Sequence, residues 1–424
     1  NYSMGEVVVT GVVLHVPGSQ SAEDLFGQLS AGRSFIKFNK KLIALGVGNI
    51  ASCAISDDEI ATLDAVYPAV APQLNPSGKM AYHALHSSLA QAGVDVGAAG
   101  ERCGFFFGVH KTLLSPEQLF SMWQRYDIPG ESLSPDVDTD VKERFQASQH
   151  LRPDHAVEVM VKSIGLQGPV FAYADACAAG STNILSGFNR VRSGELDLAI
   201  CGAADEGAQP LWHLVFKHVG ALTTGSYEQA AEVCRPFDKD RSGCVLADGA
   251  AFLILEEAEH ARARGAKILA RISGGSRSSE SHKITSSHAD GRFYKISMEA
   301  ALADAGLSAD EVDHINAHGT ATKSNDIAEG RAIEAVFGAD IPVTATKSAL
   351  GHSLSGSGAV EGVLSVLTLQ KQYLLPTLNY VAPGDGEAKI NVVTRGRAHQ
   401  IRHILSNSFG FGGQNASLIF SRSE

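Results

Sequence analysis

Twice along this sequence an apolar stretch of strand length runs into a helix pattern rich in small residues, with one reactive side chain near the joint. Pro169 to Ala176 leads to Cys177, then to Ala178-Ala179-Gly180-Ser181-Thr182 and an amphipathic pattern reaching about Arg192. Val343 to Thr346 leads through Gly351 to His352, then to a helix with Val360, Val363, Leu364, Leu367 and Leu369 on its apolar side. Each half closes in what reads as a strand pair with a glycine turn. One is Gly243 to Glu256 around Asp248-Gly249, and the other is His403 to Phe420 around Phe409-Gly410-Phe411-Gly412-Gly413. Alternating strands and helices predict an α/β fold with mostly parallel sheets. Near-continuous apolar strands predict sheets covered on both faces. The expectation is a pseudo-duplicated α/β/α/β/α sandwich, with residues 1–260 holding the cysteine and residues 261–424 the histidines.

Further elements fit that plan. Strands are predicted from Glu6 to Val13, Cys103 to Gly108, Leu196 to Ala203, Ile268 to Ser273 and His314 to His318. Helices are predicted over Ser21 to Ala31, Met80 to Ala92 and Ser297 to Ala305. Lys111 to Arg152 has no clear period and reads as a long excursion with helical pieces.

Several function classes fall away. A formal net charge of −11 argues against nucleic acid as a partner. No apolar run is long enough for a membrane span. Asn1 to Glu6 has neither the basic nor the apolar region of a secretory signal, so the cytoplasm is the expected compartment. Six cysteines show no C-x-x-C spacing, which speaks against zinc and against a redox pair.

Cys177 stands out among those six because a strand-to-helix junction offers free N–H groups and a helix dipole that favour thiolate. Cys53, Cys103, Cys201, Cys234 and Cys244 lack that setting and read as structural. In His314-Ile315-Asn316-Ala317-His318-Gly319-Thr320-Ala321-Thr322, the two histidines lie four apart in a strand pattern, too far apart for shared metal ligation. His318, at the strand end before a glycine, is the one placed for a pocket, and His314 reads as packed. Lys347 and His352 face one cavity if their turn follows the strand. Glu361, on the next helix, is a partner able to hold Lys347 inside the fold.

Taken together, the cysteine, His318-Gly319-Thr320-Ala321-Thr322, Lys347-Ser348-Ala349-Leu350-Gly351-His352 and Ser406-Asn407-Ser408-Phe409-Gly410-Phe411-Gly412-Gly413 resemble the elongating β-ketoacyl-acyl-carrier-protein synthases. Arg235 to Gly243 is similar to a further segment of that family. The resemblance spans nearly the whole chain and implies the thiolase-like form of the sandwich. It implies that Cys177 takes an acyl group from a phosphopantetheine thioester and condenses it with malonyl carried on an acyl carrier protein. It further implies His318 and His352 as donors to the malonyl thioester, and Lys347 with Glu361 as support for His318. Thr320 and Thr322 would hold pantetheine, the backbone N–H groups of Cys177 and Phe409 would form an oxyanion hole, and Phe409 would act as a mobile gate. No cofactor is implied beyond the carrier's phosphopantetheine. The implied partners are the acyl carrier protein and a second subunit, either a copy of this chain or a related ketosynthase-like chain, with no membrane.

The sequence departs from the family pattern at Asp175-Ala176-Cys177 and at Ala247-Asp248-Gly249. It also offers only Lys79 just before Met80, where relatives carry several basic residues for docking the carrier. That leaves the docking surface unassigned. A non-condensing acyltransferase on the same fold stays open as an alternative, as does one subunit of a ketosynthase/chain-length-factor pair.

Overall fold

In the computed structural model, residues 4–44, 46–47, 51–109, 152, 154–225 and 227–423 are described. The excursion predicted from Lys111 to Arg152 lies, apart from Arg152 itself, outside the described residues. Eleven strands form the body of the sheet. They are β1 (Val7–His15), β2 (Cys103–Gly108), β3 (Val170–Tyr173), β4 (Leu198–Glu206), β5 (Leu246–Glu257), β6 (Ala270–Ser279), β7 (His314–Asn316), β8 (Pro342–Thr344), β9 (Asn391–Val392), β10 (His403–Gly410) and β11 (Gln414–Ser421). Their spatial order is β9-β8-β7-β10-β11-β6-β1-β5-β4-β2-β3.

That order is one pattern written twice outward from the β1/β6 seam. In the first half β1 pairs antiparallel with β5 and β5 antiparallel with β4, while β4, β2 and β3 run parallel. In the second half β6–β11 and β11–β10 are antiparallel, while β10, β7 and β8 run parallel. The halves meet where Val7–Val9 lies antiparallel to Ala270–Ile272. By this pairing β3 and β8 are topological equivalents. The sheets are therefore mixed rather than mostly parallel, because each half returns an antiparallel strand beside its first one.

Two helices lie in the middle layer, α2 (Ala179–Arg192) following β3 and α5 (Ser357–Lys371) following β8, each packed on strands of both halves. They cross at glycines. A Cβ on Gly180 would stand 2.6 Å from the Ala359 nitrogen, and one on Gly358 would stand 2.6 Å from the Ser181 nitrogen. Backbone contact this close needs a residue without Cβ. Outside them, α1 (Pro76–Ala92) covers β1, β5 and β4, and α3 (Arg292–Ala305) covers β6 and β11. The layers are thus α/β/α/β/α, the thiolase-like sandwich. Phe188, Leu253, Val363, Leu364 and Phe420 from both halves join one buried cluster, which fuses the two into a single core.

One predicted element is different. Gly243 to Glu256 is not a strand pair; Leu246 to Glu257 is one continuous strand running through Asp248-Gly249. The Asp248 carboxylate accepts from the backbone nitrogens of Ile55 (2.8 Å) and Ala208 (3.0 Å), so Asp-Gly serves here as an anchor between segments. The Phe409 to Gly413 turn does close a strand pair, with Gly410 opposite Gln414.

Candidate active site

The β3 strand ends at Tyr173, and the chain then turns sharply to start α2. Ala176 adopts φ 48°, a left-handed conformation costly for a residue with Cβ. Cys177 follows in a single 3-10 turn and points into a cleft between the halves. The same cleft is lined by His318, His352, Thr320, Thr322 and Phe409, so all of these expected residues meet there. Lys347 and Glu361 stand behind His318.

The imidazoles of His318 and His352 meet edge to face with centroids 5.3 Å apart. Lys347 Nζ donates to the His318 carbonyl at 2.8 Å and lies 3.3 Å from His318 Nδ1. An ammonium has no acceptor, so Nδ1 must accept and the ring hydrogen sits on Nε2. Burial and the Lys347 charge hold His318 well below the usual histidine range, so the ring is neutral. The Phe409 ring stands edge to face with it, with centroids 5.9 Å apart. His352 Nδ1 accepts from the Leu354 nitrogen at 3.2 Å and lies 2.8 Å from Ser357 Oγ, which gives the same tautomer. His352 is tied to the first half by two backbone bonds, its nitrogen to the Val245 carbonyl (2.7 Å) and the Ala247 nitrogen to its own carbonyl (2.9 Å).

Lys347 and Glu361 form a buried ion pair, and burial still raises Glu361 to about 7. Thr320 and Thr322 share a hydroxyl hydrogen bond of 2.9 Å. Phe409 stacks on Tyr294 at 3.7 Å between centroids. His314 is buried in the strand, its Nδ1 2.9 Å from the Pro342 carbonyl, as expected of a packed histidine.

The expected thiolate is not the resting state. Cys177 sits in an apolar cluster with Phe216, Leu222, Leu246 and Leu354, and burial pushes its thiol up to about 12. The Lys347 charge and the Phe411 N–H draw it the other way without prevailing.

Sequence reading missed other parts of the site. The Glu329 carboxylate, on helix α4 (Lys323–Phe337), accepts from the nitrogens of His318 (2.6 Å) and Gly319 (2.9 Å) and from Asn325 Nδ2 (3.1 Å). It fixes the strand end from which His318 projects, and burial raises it to about 7. Gly319 is required there, since a Cβ would lie 2.5 Å from the Ala345 Cβ. The Arg235 to Gly243 segment holds α4 in place, the Phe237 nitrogen donating to Asp326 at 2.7 Å. Cys244, read as structural, lines the same cleft as Cys177.

The family model described as β-ketoacyl synthase, N-terminal domain, matches residues 4–261, and the one described as β-ketoacyl synthase, C-terminal domain, matches residues 269–381. The chain belongs to the β-ketoacyl synthase family. A 3-oxoacyl-[acyl-carrier-protein] synthase 2 of Vibrio cholerae is 39% identical over 264 residues, 61% of this chain and 63% of that protein. One of the same name from Mycobacterium tuberculosis is 40% identical over 260 residues, 61% of each chain. Among solved structures, a β-ketoacyl synthase from Burkholderia phymatum superposes with a TM-score of 0.84 at 27% identity, over 99% of this chain and 100% of its own. The ishigamide ketosynthase/chain length factor gives 0.84 at 29%, and a ketosynthase in complex with a type II polyketide acyl-carrier protein gives 0.84 at 25%, with the same coverage.

Proposed function

We propose that this chain is an acyltransferase that carries out decarboxylative Claisen condensation in fatty-acid or polyketide synthesis. It joins an acyl group held on Cys177 to malonyl-ACP and releases β-ketoacyl-ACP. The observation that carries the reading is two neutral imidazoles, both with hydrogen on Nε2, set edge to face in the cleft that Cys177 lines.

In the first half-reaction Cys177 attacks the acyl thioester, and its proton leaves with the pantetheine sulfur. No net charge is then left beside the apolar wall, which suits a thiol that burial keeps neutral. In the second, the bond between the malonyl carboxylate and its methylene carbon breaks. Carbon dioxide departs and the electron pair passes to the thioester oxygen. The two Nε2–H groups meet that developing charge as fixed donors in a water-poor site. The methylene carbon then attacks the acyl-cysteine carbonyl, and the sulfur leaves and regains a proton. Phe409 is the gate: its ring stacks on Tyr294 and meets the His318 ring edge to face, and its displacement opens the cleft to substrate. Thr320 and Thr322 hold the pantetheine amides. Lys347 and Glu361 keep His318 in its tautomer, and the Cys177 N–H with its neighbours in the Phe409 to Phe411 turn serves the tetrahedral oxyanion.

The enzyme needs no resident cofactor or metal on this reading, since its substrates arrive on phosphopantetheine. It works in the cytoplasm as a dimer, with itself or with a ketosynthase-like partner; the ishigamide neighbour's pairing with a chain length factor supports the second option. Incubation with acyl-ACP and malonyl-ACP, followed by mass analysis of protein and carrier, tests the reading. The expected result is an acyl mass on the enzyme, then a carrier product two carbons longer. Acylation without any condensed product would instead favour a non-condensing acyltransferase.

A further inference from the structure

The two imidazoles of the cleft are held from behind by side chains of one helix face. Ser357 opens α5 and is buried. Glu361 stands four residues on, so the two side chains leave the same side of the helix. Glu361 pairs with Lys347, whose Nζ lies 3.3 Å from His318 Nδ1. Ser357 Oγ lies 2.8 Å from His352 Nδ1. Ser357, Glu361 and Lys347 also line one small cavity behind the rings, together with Asp248 and Ser353. The backbone that carries the Ser357 hydroxyl is held in place by its neighbour, since a Cβ on Gly358 would stand 2.6 Å from the Ser181 nitrogen.

The direction of the Ser357 bond follows from its surroundings. His352 Nδ1 accepts from the Leu354 nitrogen, so it carries no hydrogen and the serine hydroxyl must donate. The Leu354 bond is 3.2 Å long, at the far end of the normal range, which leaves the hydroxyl as the closer donor. Two donors on Nδ1 disfavour the tautomer with hydrogen there and draw charge from the ring, which strengthens Nε2–H as a donor. We infer that Ser357 is a positioning residue for the decarboxylation step, acting through His352 as Lys347 acts through His318. It brings a neutral hydroxyl where Lys347 brings a charge, so its share is the smaller one. The inference rests on the functional reading above, which makes the His352 Nε2–H a donor to the malonyl thioester.

The test is a double-mutant cycle on the full chain, read as carbon dioxide release from malonyl-ACP. Ser357→Ala removes one oxygen and leaves the Leu354 N–H on Nδ1, so His352 keeps a partner there. Expected is a fall of about fivefold in kcat for release, with KM for malonyl-ACP and acyl loading from acyl-ACP within about twofold of wild type. In a His352→Ala background the same change should lower the residual rate no further, because the ring through which Ser357 acts is gone. An equal fall in both backgrounds would assign Ser357 to general support of the fold and overturn the inference. Unchanged kcat in Ser357→Ala would overturn it as well, and so would a parallel loss of acyl loading. A wild-type enzyme that takes up acyl groups but releases no carbon dioxide would remove the condensing reading, and the role of Ser357 with it.

Discussion

The two joints that build the cleft occupy the same place in a repeated topology and are constructed in opposite ways. After β3 the chain reaches Cys177 in one tight turn through Ala176, among small and apolar side chains. After β8 it spends a short helix, Lys347–Leu350, then Gly351 at φ 72° and Leu354 at φ 49°, before α5 begins. That longer path seats a lysine, a histidine and, one turn into α5, a glutamate in the protein interior. The first joint is thus suited to a nucleophile that must stay neutral until substrate arrives. The second is suited to fixed dipoles and charge. On the proposed function, one topological slot, used twice, divides the chemistry into a covalent half and an electrostatic half.

The division is broken most directly by Cys177→Ala. Acyl loading, read by intact mass after incubation with acyl-ACP, is expected to vanish while the fold and malonyl binding persist. An acyl mass on that variant would place the covalent chemistry elsewhere. His352→Ala is the complementary change. It should still gain the acyl mass, while carbon dioxide release from malonyl-ACP falls about 10²–10³-fold, as on removal of a donor to a developing oxyanion. Unchanged release in that variant would take His352 out of the second half-reaction.

Lys347→Met tests what the second joint costs to maintain. Lys347 and Glu361 are 2% exposed, and removing one partner of a buried pair strands the other. A loss of about 3–5 kcal/mol of stability is expected, measured by denaturant unfolding. Adding Glu361→Gln should recover part of the stability, but not the His318 tautomer and hence not the decarboxylation rate. Gly358→Ala probes the crossing that holds the joints together. Its Cβ would meet the Ser181 nitrogen at 2.6 Å, so overpacking of about 1–3 kcal/mol should appear with acyl loading and decarboxylation lowered in parallel.

Much of the second joint could be read from the sequence, because its parts are close along the chain. Lys347, His352 and Glu361 fall within fifteen residues, and the helix periodicity after Gly356 is strong. The Phe409 to Gly413 turn was equally legible, since consecutive antiparallel strands need only local pairing. Asp248-Gly249 misled because the dipeptide favours turns, whereas Asp248 takes its hydrogen bonds from Ile55 and Ala208, both distant in sequence. Glu329 was invisible for the same reason: a carboxylate on a helix looks solvated until the strand end it caps is placed against it. The resting charge of Cys177 was misjudged because a helix N-terminus is a local feature, while the burial that outweighs it comes from Phe216, Leu222 and Leu354.

The smallest expected effect separates the halves by pH. Burial raises Asp248 of the first half to about 8, and Glu329 and Glu361 of the second to about 7. An acid whose folded pKa is raised is protonated in the native state while already ionised in the unfolded chain, so stability falls as pH climbs between those two values. Buried histidines act the other way below about pH 6.5, since burial lowers His15, His213 and His314 to about 4, so the decline is read between about pH 6.5 and 8, where it should amount to a few degrees in melting temperature. Asp248 contributes to that decline across the whole interval, while Glu329 and Glu361, raised to about 7, contribute less as pH passes 7. Asp248→Asn lowers the whole curve, since its amide turns a donor toward the nitrogen of Ile55 or Ala208. It should also make the decline between about pH 6.5 and 8 shallower than in the wild type, by the share of one proton. A variant that kept the full wild-type slope would show that this proton comes from another group and that Asp248 is ionised from the start. An ionised Asp248 would then give the covalent half a buried carboxylate held by the Ile55 and Ala208 N–H groups.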